Sequence, residues 1–223
     1  MTYNIIATGS NGNAVILDGR ILIDCGVPYK MLRPYAKDLR LVLLTHEHSD
    51  HFKAGTVRAL HRERPALRWG CCRWMVRHLV DAGVDRRVID VYEPNGMFYW
   101  YGDFHNFGAC PVKLVHNVPN CGYKIFFGRE GYKLFYATDT GTLDGIEVKG
   151  YDLYLIEANH TQAEIEERIR AKAAAGEFIY ETAAEQNHLS REQALEWLAQ
   201  NMGKNSKYVF LHQHRERRAS HAQ

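Results

Sequence analysis

Apolar residues in the first fifty positions come in short runs broken by turn formers: Tyr3 to Thr8, then Gly9-Ser10-Asn11-Gly12-Asn13, Ala14 to Leu17, Asp18-Gly19, and Arg20 to Asp24. Runs of this length between Gly, Asn and Asp predict strands joined by tight turns. Pro28 to Lys37 predicts a short helix, and Leu39 to Leu44 is a continuous apolar run of buried-strand length that stops at Thr45. Helical spacing follows over Phe52 to Arg64, with Val57, Leu60 and His61 on one face, and again over Cys72 to Ala82 before Gly83. The next fifty residues return to strands, expected at Val88 to Tyr92, Met97 to Tyr101, Val112 to Val115, Gly122 to Phe127 and Tyr132 to Ala137. The last two are joined by a hairpin at Gly128-Arg129-Glu130-Gly131. Tyr151 to Ala158 reads as a further buried strand, Thr161 to Ala175 as a charged helix, and Ser190-Arg191-Glu192-Gln193 as a capping box opening a helix that ends near Gly203. Tyr208 to Leu211 is the final strand. This order suits two sheets packed between helices, in one domain over residues 1–223.

Composition narrows the class. With 46% apolar and 24% charged residues, and no apolar run near the roughly 20 residues of a membrane span, the chain reads as globular. The N-terminus lacks a basic segment followed by an apolar core, so a cytoplasmic location without membrane association is expected. Five cysteines without C-x-x-C spacing fit neither a disulfide framework nor a structural zinc knuckle; packing is their expected role. A net charge of +2 does not by itself announce a nucleic-acid partner. Eight arginines between Arg58 and Arg87, and a tail with Arg215, Arg217 and Arg218, could line a groove for a polyanion or be a solvated helix face and a terminus.

The chemistry starts where the Leu39 to Leu44 run stops. In Thr45-His46-Glu47-His48-Ser49-Asp50-His51, residues i and i+2 share a side, so His46 and His48 can offer both imidazoles to one ion. Asp50 and His51 follow as the chain turns and can face a second ion nearby. One loop cannot complete two coordination shells. Further candidates recur just past predicted strands: His116, Asp139, His160 and His212. Strands that direct one edge at a common site produce this pattern.

These residues carry a family resemblance. The histidine run resembles the H-x-H-x-D-H signature of the metallo-β-lactamase superfamily, and Gly9 to Asn13 with Ile21-Leu22-Ile23-Asp24-Cys25-Gly26 is similar to its N-terminal strands. His116-Asn117-Val118-Pro119-Asn120, Thr138-Asp139-Thr140-Gly141 and Glu157-Ala158-Asn159-His160 resemble later motifs of its nucleic-acid-processing members, the small bacterial exonucleases and tRNA 3′-processing endonucleases. The resemblance implies an α/β fold of the metallo-β-lactamase type, an αββα sandwich of two mixed sheets between helices. It further implies two divalent metal ions, zinc or manganese with iron as a third option. His46, His48 and His116 would hold one ion, Asp50, His51 and His212 the other, and Asp139 would bridge them. His212 lies immediately past its strand; His214 and His160 are the fallbacks. Asn187-His188-Leu189-Ser190 looks like the family's Gly-His-x-Ser or Gly-His-x-Thr element, with Asn in place of Gly, which makes His188 the expected proton donor to the leaving group.

The function implied is a metal-dependent nuclease or phosphodiesterase in which a metal-bridging hydroxide, oriented by Asp50, attacks DNA or RNA. Aromatic residues such as Tyr99, Trp100 and Tyr101 could stack bases, although such runs are also ordinary sheet packing. Two other readings compete with it: hydrolysis of a small ester, lactone, thioester or cyclic nucleotide in the same site, and a non-catalytic binding module with structural metals.

Overall fold

The computed structural model describes residues 1–102, 106–178 and 181–213. Its strands fall into two six-stranded mixed sheets that divide the chain in sequence order. The first runs β1 (Tyr3–Ala7), β2 (Ala14–Leu17), β3 (Ile21–Ile23), β4 (Leu41–Leu44), β5 (Arg68–Cys72) and β6 (Ile89–Tyr92), antiparallel up to β3 and parallel from there. The second has the order β12 (Lys207–Leu211), β11 (Leu153–Glu157), β10 (Tyr132–Ala137), β9 (Asn120–Phe127), β8 (Phe107–Leu114) and β7 (Tyr99–Tyr101). There β7 to β10 are antiparallel, and β10 to β12 parallel.

Side-chain alternation sorts the core into three layers. Val15, Leu17, Ile21, Ile23, Leu41 and Leu43 face the other sheet and meet Tyr123, Ile125, Leu134, Tyr136, Leu153 and Leu155. Their neighbours Ala14, Ile16, Leu22, Val42 and Leu44 face outward, under α1 (Tyr29–Leu32), α2 (Ala54–Glu63) and α3 (Val76–Asp81). Outside the second sheet, Phe135, Ala137, Tyr154 and Ile156 are covered by Ala194, Trp197 and Leu198 of α6 (Arg191–Asn201). The result is the expected helix-sheet-sheet-helix arrangement. Strands buried on both faces explain why Leu41–Leu44 and Leu153–Glu157 read as unbroken apolar runs.

Two helices begin at capping boxes, α4 (Gln162–Ala175) at Thr161 with Glu164, and α6 at Ser190 with Gln193. Four elements depart from the pattern-based expectation. The first helix covers only Tyr29–Leu32 before passing into turns. Strand β5 occupies Arg68–Cys72, where no alternation marks it; its register comes from parallel pairing on both sides with β4 and β6. Strand β8 begins at Phe107, five residues before Val112, because pairing with β7 and β9 extends it past Pro111. The segment 181–187 forms α5 (Glu181–Asn187), outside the expected helices. All five cysteines are buried and unbridged, consistent with packing. Among the described residues no helix is long and apolar enough to cross a membrane.

Candidate metal centre

Strands β3, β4, β8, β10, β11 and β12 deliver their C-terminal ends, or the residues just beyond them, to one place. Asp24 follows β3, His46 and His48 follow β4, His116 follows β8, Asp139 follows β10, Glu157 ends β11 and His212 follows β12. Asp24, Asp139 and His212 have left-handed backbones, with φ of 60°, 59° and 49°. Non-glycine residues there cost about 1–3 kcal/mol each, a strain tolerated where packing overdetermines the chain and concentrated at functional sites.

The histidine loop is clamped from below. His51 N–H and Phe52 N–H both donate to the His48 carbonyl, at 2.8 and 2.7 Å, curling the loop into a turn. Asn13 N–H donates to the Asp50 carbonyl at 2.6 Å, so the Gly9 to Asn13 turn braces the metal loop. Gly26 allows the closest approach: a Cβ built there would lie 1.7 Å from the Asp50 carbonyl oxygen. Gly26→Ala must therefore displace the loop; we expect a loss of about 3 kcal/mol or more in urea unfolding, together with loss of metal binding.

The donor atoms form overlapping groups. His46, His48 and His116 bring ring nitrogens together, with His48 Nδ1 3.2 Å from His46 Nε2 and 3.3 Å from His116 Nε2. Asp50, His51 and His212 make a second group, and Asp139 joins His46 and His51 in a third. Asp139 Oδ2 lies 2.9 Å from His51 Nε2 and 3.2 Å from His212 Nδ1. Both Asp139 Oδ2 and His212 Nδ1 are buried without a hydrogen-bond partner, although they are close. Buried polar atoms left so are costly unless something else satisfies them, and a carboxylate among imidazoles is the donor set of a divalent cation. The residues therefore fit the ions that the family implies.

Supporting contacts aim the ligands. Asp24 Oδ2 accepts from His51 Nδ1 at 2.7 Å, leaving Nε2 directed at Asp139. The same Asp24 accepts from Thr45 N–H and Oγ1–H at 3.0 Å, and Thr45 Oγ1 lies 2.9 Å from His46 Nδ1. With the hydroxyl proton given to Asp24, Oγ1 accepts from His46 Nδ1–H and frees Nε2 for the cluster. His116 Nδ1 donates to the Asn187 carbonyl at 3.2 Å, which likewise frees its Nε2. Such partners fix tautomer and ring angle.

Electrostatics divides the cluster in two. Burial, then the neighbouring His51, presses His46 well below the usual histidine range, and burial takes His116 down to about 4. These two are neutral imidazoles with lone pairs to offer. At His51 burial opposes the charged form, yet Asp139 and Asp24 outweigh it and raise its proton affinity well above the ordinary value. His212 behaves likewise beside Asp139. Asp139 is held well below the carboxylate range by His51 and His212, against the effect of burial. Among the described residues, the ion pairs of Asp24, Asp139 and Glu157 are all with histidines. Without lysine or arginine partners, this half of the site attracts protons where a metal cation would otherwise sit.

His188 lies at the far side of Asp139, its Nδ1 2.5 Å from Glu157 Oε1 and 3.7 Å from Asp139 Oδ1. Burial lowers its proton affinity, but Glu157 more than compensates and the balance is upward. Asn187, where the resembling motif has Gly, ends α5 with no positive φ and uses its backbone carbonyl, so the substitution strains nothing. His160 is brought elsewhere. Just before α4 it pairs in an isolated bridge with Ser190, the N-cap of α6, and it belongs to none of the donor groups. His214 lies outside the described residues. Pattern reading did not assign Asp24, Thr45, Glu157 or Asn13 to the site. Asp24 and Glu157 carried the same signal as Asp139, an acid at the end of an apolar strand.

A family model described as the beta-lactamase superfamily domain matches residues 19–212, ending on the His212 of the cluster. Exodeoxyribonuclease WalJ of Streptococcus pneumoniae is 28% identical, the alignment covering 94% of this chain and 80% of that protein. Exodeoxyribonuclease YycJ of Bacillus anthracis is 26% identical, over 71% of this chain and 62% of that one. Among solved structures, the short form of human tRNase Z superposes with a TM-score of 0.69 at 17% identity, covering 96% and 92% of the two chains. With most of its length matched by one family model, the chain belongs to the β-lactamase superfamily.

Proposed function

We propose that this protein is a two-metal nuclease that hydrolyses phosphodiesters of DNA. The observation that carries the reading is Asp139 shared by two donor groups, one with His46 and His51 and one with Glu157, His188 and His212, which supports a cation cluster with His188 as its neighbouring acid. The exodeoxyribonuclease relatives favour DNA.

His46, His48 and His116 would hold one ion, Asp50, His51 and His212 the other, and Asp139 both. Imidazole and carboxylate donors without thiolate suit zinc or manganese. When bound, such a pair supplies Lewis acidity and makes water nucleophilic at neutral pH. Asp50, whose side chain is one-fifth exposed at the mouth of the cluster, accepts a hydrogen bond from the attacking water and orients it. His188 carries the proton that the leaving oxygen needs. Glu157 raises its proton affinity and fixes the ring through Nδ1, so Nε2–H is the donor. Glu157 is fixed in turn by Thr140 N–H, donated to Oε2 at 3.0 Å. The buried, unbridged cysteines suit a reducing cytoplasm.

The test is manganese- or zinc-supported cleavage of end-labelled single- and double-stranded DNA and RNA, with Asp50→Ala alongside. Cleavage of DNA that disappears in the variant is expected. Cleavage of neither polymer by wild type loaded with two ions would move the assignment to a small ester or cyclic nucleotide.

A further inference from the structure

Of the arginines crowded between Arg58 and Arg87, some are committed to the fold. Arg64 donates to the carbonyls of Ala36 and Lys37, Arg68 is in a bidentate pair with Asp90, and Arg87 is paired with Asp85. Arg73, Arg77 and Arg86 are different: all three are exposed and line one groove between α3 and β6, floored by Val76, Val80 and Val91. Arg73 lies 3.5 Å from Glu93 and Arg77 3.6 Å from Asp81, with side chains 82% and 90% exposed. Exposed pairs this long contribute about 0–1 kcal/mol and yield readily to a better anion. Arg86 spends one N–H on the Ile89 carbonyl. The groove continues into a second cleft that shares Arg86 and Val91 and is walled by Tyr99, Trp100 and Tyr101.

The groove also connects to the metal centre. Strand β5 runs parallel to β4, so Arg73, just past Cys72, emerges at the same edge as Thr45, just past Leu44. Trp74 Nε1 donates to the Thr45 carbonyl at 3.1 Å, and His78 Nε2 is 2.6 Å from Glu47, the residue between the two histidines. The segment that bears Arg73 and Arg77 is thus bolted to the metal loop. With a net charge of only +2, the molecule as a whole attracts a polyanion weakly, so a grip on phosphates has to be local.

We infer that the α3–β6 groove is the track along which the nucleic-acid substrate lays its phosphodiester backbone, held by Arg73, Arg77 and Arg86 outside the catalytic centre. This rests on the nuclease reading above. The three guanidiniums bind successive phosphates of the strand, and the apolar floor and tyrosine wall accept sugar and base faces.

The experiment uses the metal-loaded full chain and a labelled single-stranded DNA of about thirty nucleotides, with initial rates measured across a salt series. The combined Arg73→Ala, Arg77→Ala and Arg86→Ala variant should raise KM about tenfold or more and flatten the log–log salt dependence of kcat/KM by about 2, at roughly 0.7 per lost phosphate contact. Arg58→Ala with Arg62→Ala, two exposed positions on α2, should leave KM and the salt slope as in wild type. If the triple variant is poorly folded, Arg77→Ala alone carries the test, with about a threefold rise in KM. Wild type that cleaves DNA, paired with a variant of unchanged KM and salt slope, overturns the groove and leaves the nuclease reading standing; it would also fit a groove that binds an acidic protein instead. Wild type that neither cleaves nor binds nucleic acid overturns both.

Discussion

Asp24→Ala is expected to weaken both metal ions by about 10–100-fold each and to destabilise the metal-free fold by about 3–5 kcal/mol. Asp24 would touch neither ion. It is fully buried at the end of β3, where one carboxylate serves His51 directly and His46 through Thr45. Those two histidines would hold different ions, so one substitution should loosen both. The stability loss has a separate origin: removing Asp24 leaves His51 Nδ1 and the Thr45 N–H buried without acceptors. Asp24→Asn separates the effects, because the amide oxygen can still accept from Thr45 or His51 while the charge is gone. Metal affinity by competition with a chelating dye, and unfolding of the metal-free protein in urea, measure the two halves. Wild-type affinity for both ions in Asp24→Ala would mean that the ligands are held by packing alone.

The second large effect is at His188. His188→Ala should lower DNA turnover by about 10²–10⁴-fold with two ions still bound, the range expected for losing a positioned proton donor. Its pH signature distinguishes it from a general loss of structure. A general acid must be protonated, so wild-type activity should fall on the alkaline side as His188 loses its proton. Glu157 raises that proton affinity, so Glu157→Gln should move the alkaline limb to lower pH. A substrate whose leaving group needs no proton, such as a nitrophenyl diester, should lose far less in His188→Ala. An equal loss on both substrates would place His188 among the metal ligands, which its position in a donor group with Asp139, Glu157 and His212 also allows sterically.

The parts of this site that could be read from the sequence are those imposed by local spacing. His46, His48, Asp50 and His51 stand within one turn, so their types and order alone point to ions. His116, Asp139 and His212 were legible because each follows a run long and apolar enough to be a strand. Asp24 and Glu157 sit in the same position, yet their role depends on which histidine the fold brings beside them, 27 and 31 residues away in sequence. His160 shows the converse: it obeys the strand-then-histidine pattern, but its backbone bridges to Ser190 and it enters none of the donor groups. In the fold, β5 escaped because Arg68-Trp69-Gly70-Cys71-Cys72 has neither alternation nor a β-branched residue. Its sheet position is dictated by neighbours instead, and a Cβ at Gly70 would come 2.2 Å from the Tyr92 hydroxyl. The arginine groove is likewise a tertiary fact. Eight similar residues in one stretch divide into fold-committed and exposed members only when Asp85, Asp90 and the turns after α1 are in place.

On the proposed mechanism, cleavage needs two ions gathered at Asp139. The measurement that meets it most directly is DNA cleavage as a function of ions bound per chain, with metal-free protein titrated with manganese or zinc and both quantities read on the same samples. Cleavage is expected to stay near zero through the first equivalent and to rise with the second, and Asp139→Asn to abolish that rise. Full cleavage with one ion bound, or cleavage indifferent to Asp139→Asn, would contradict it.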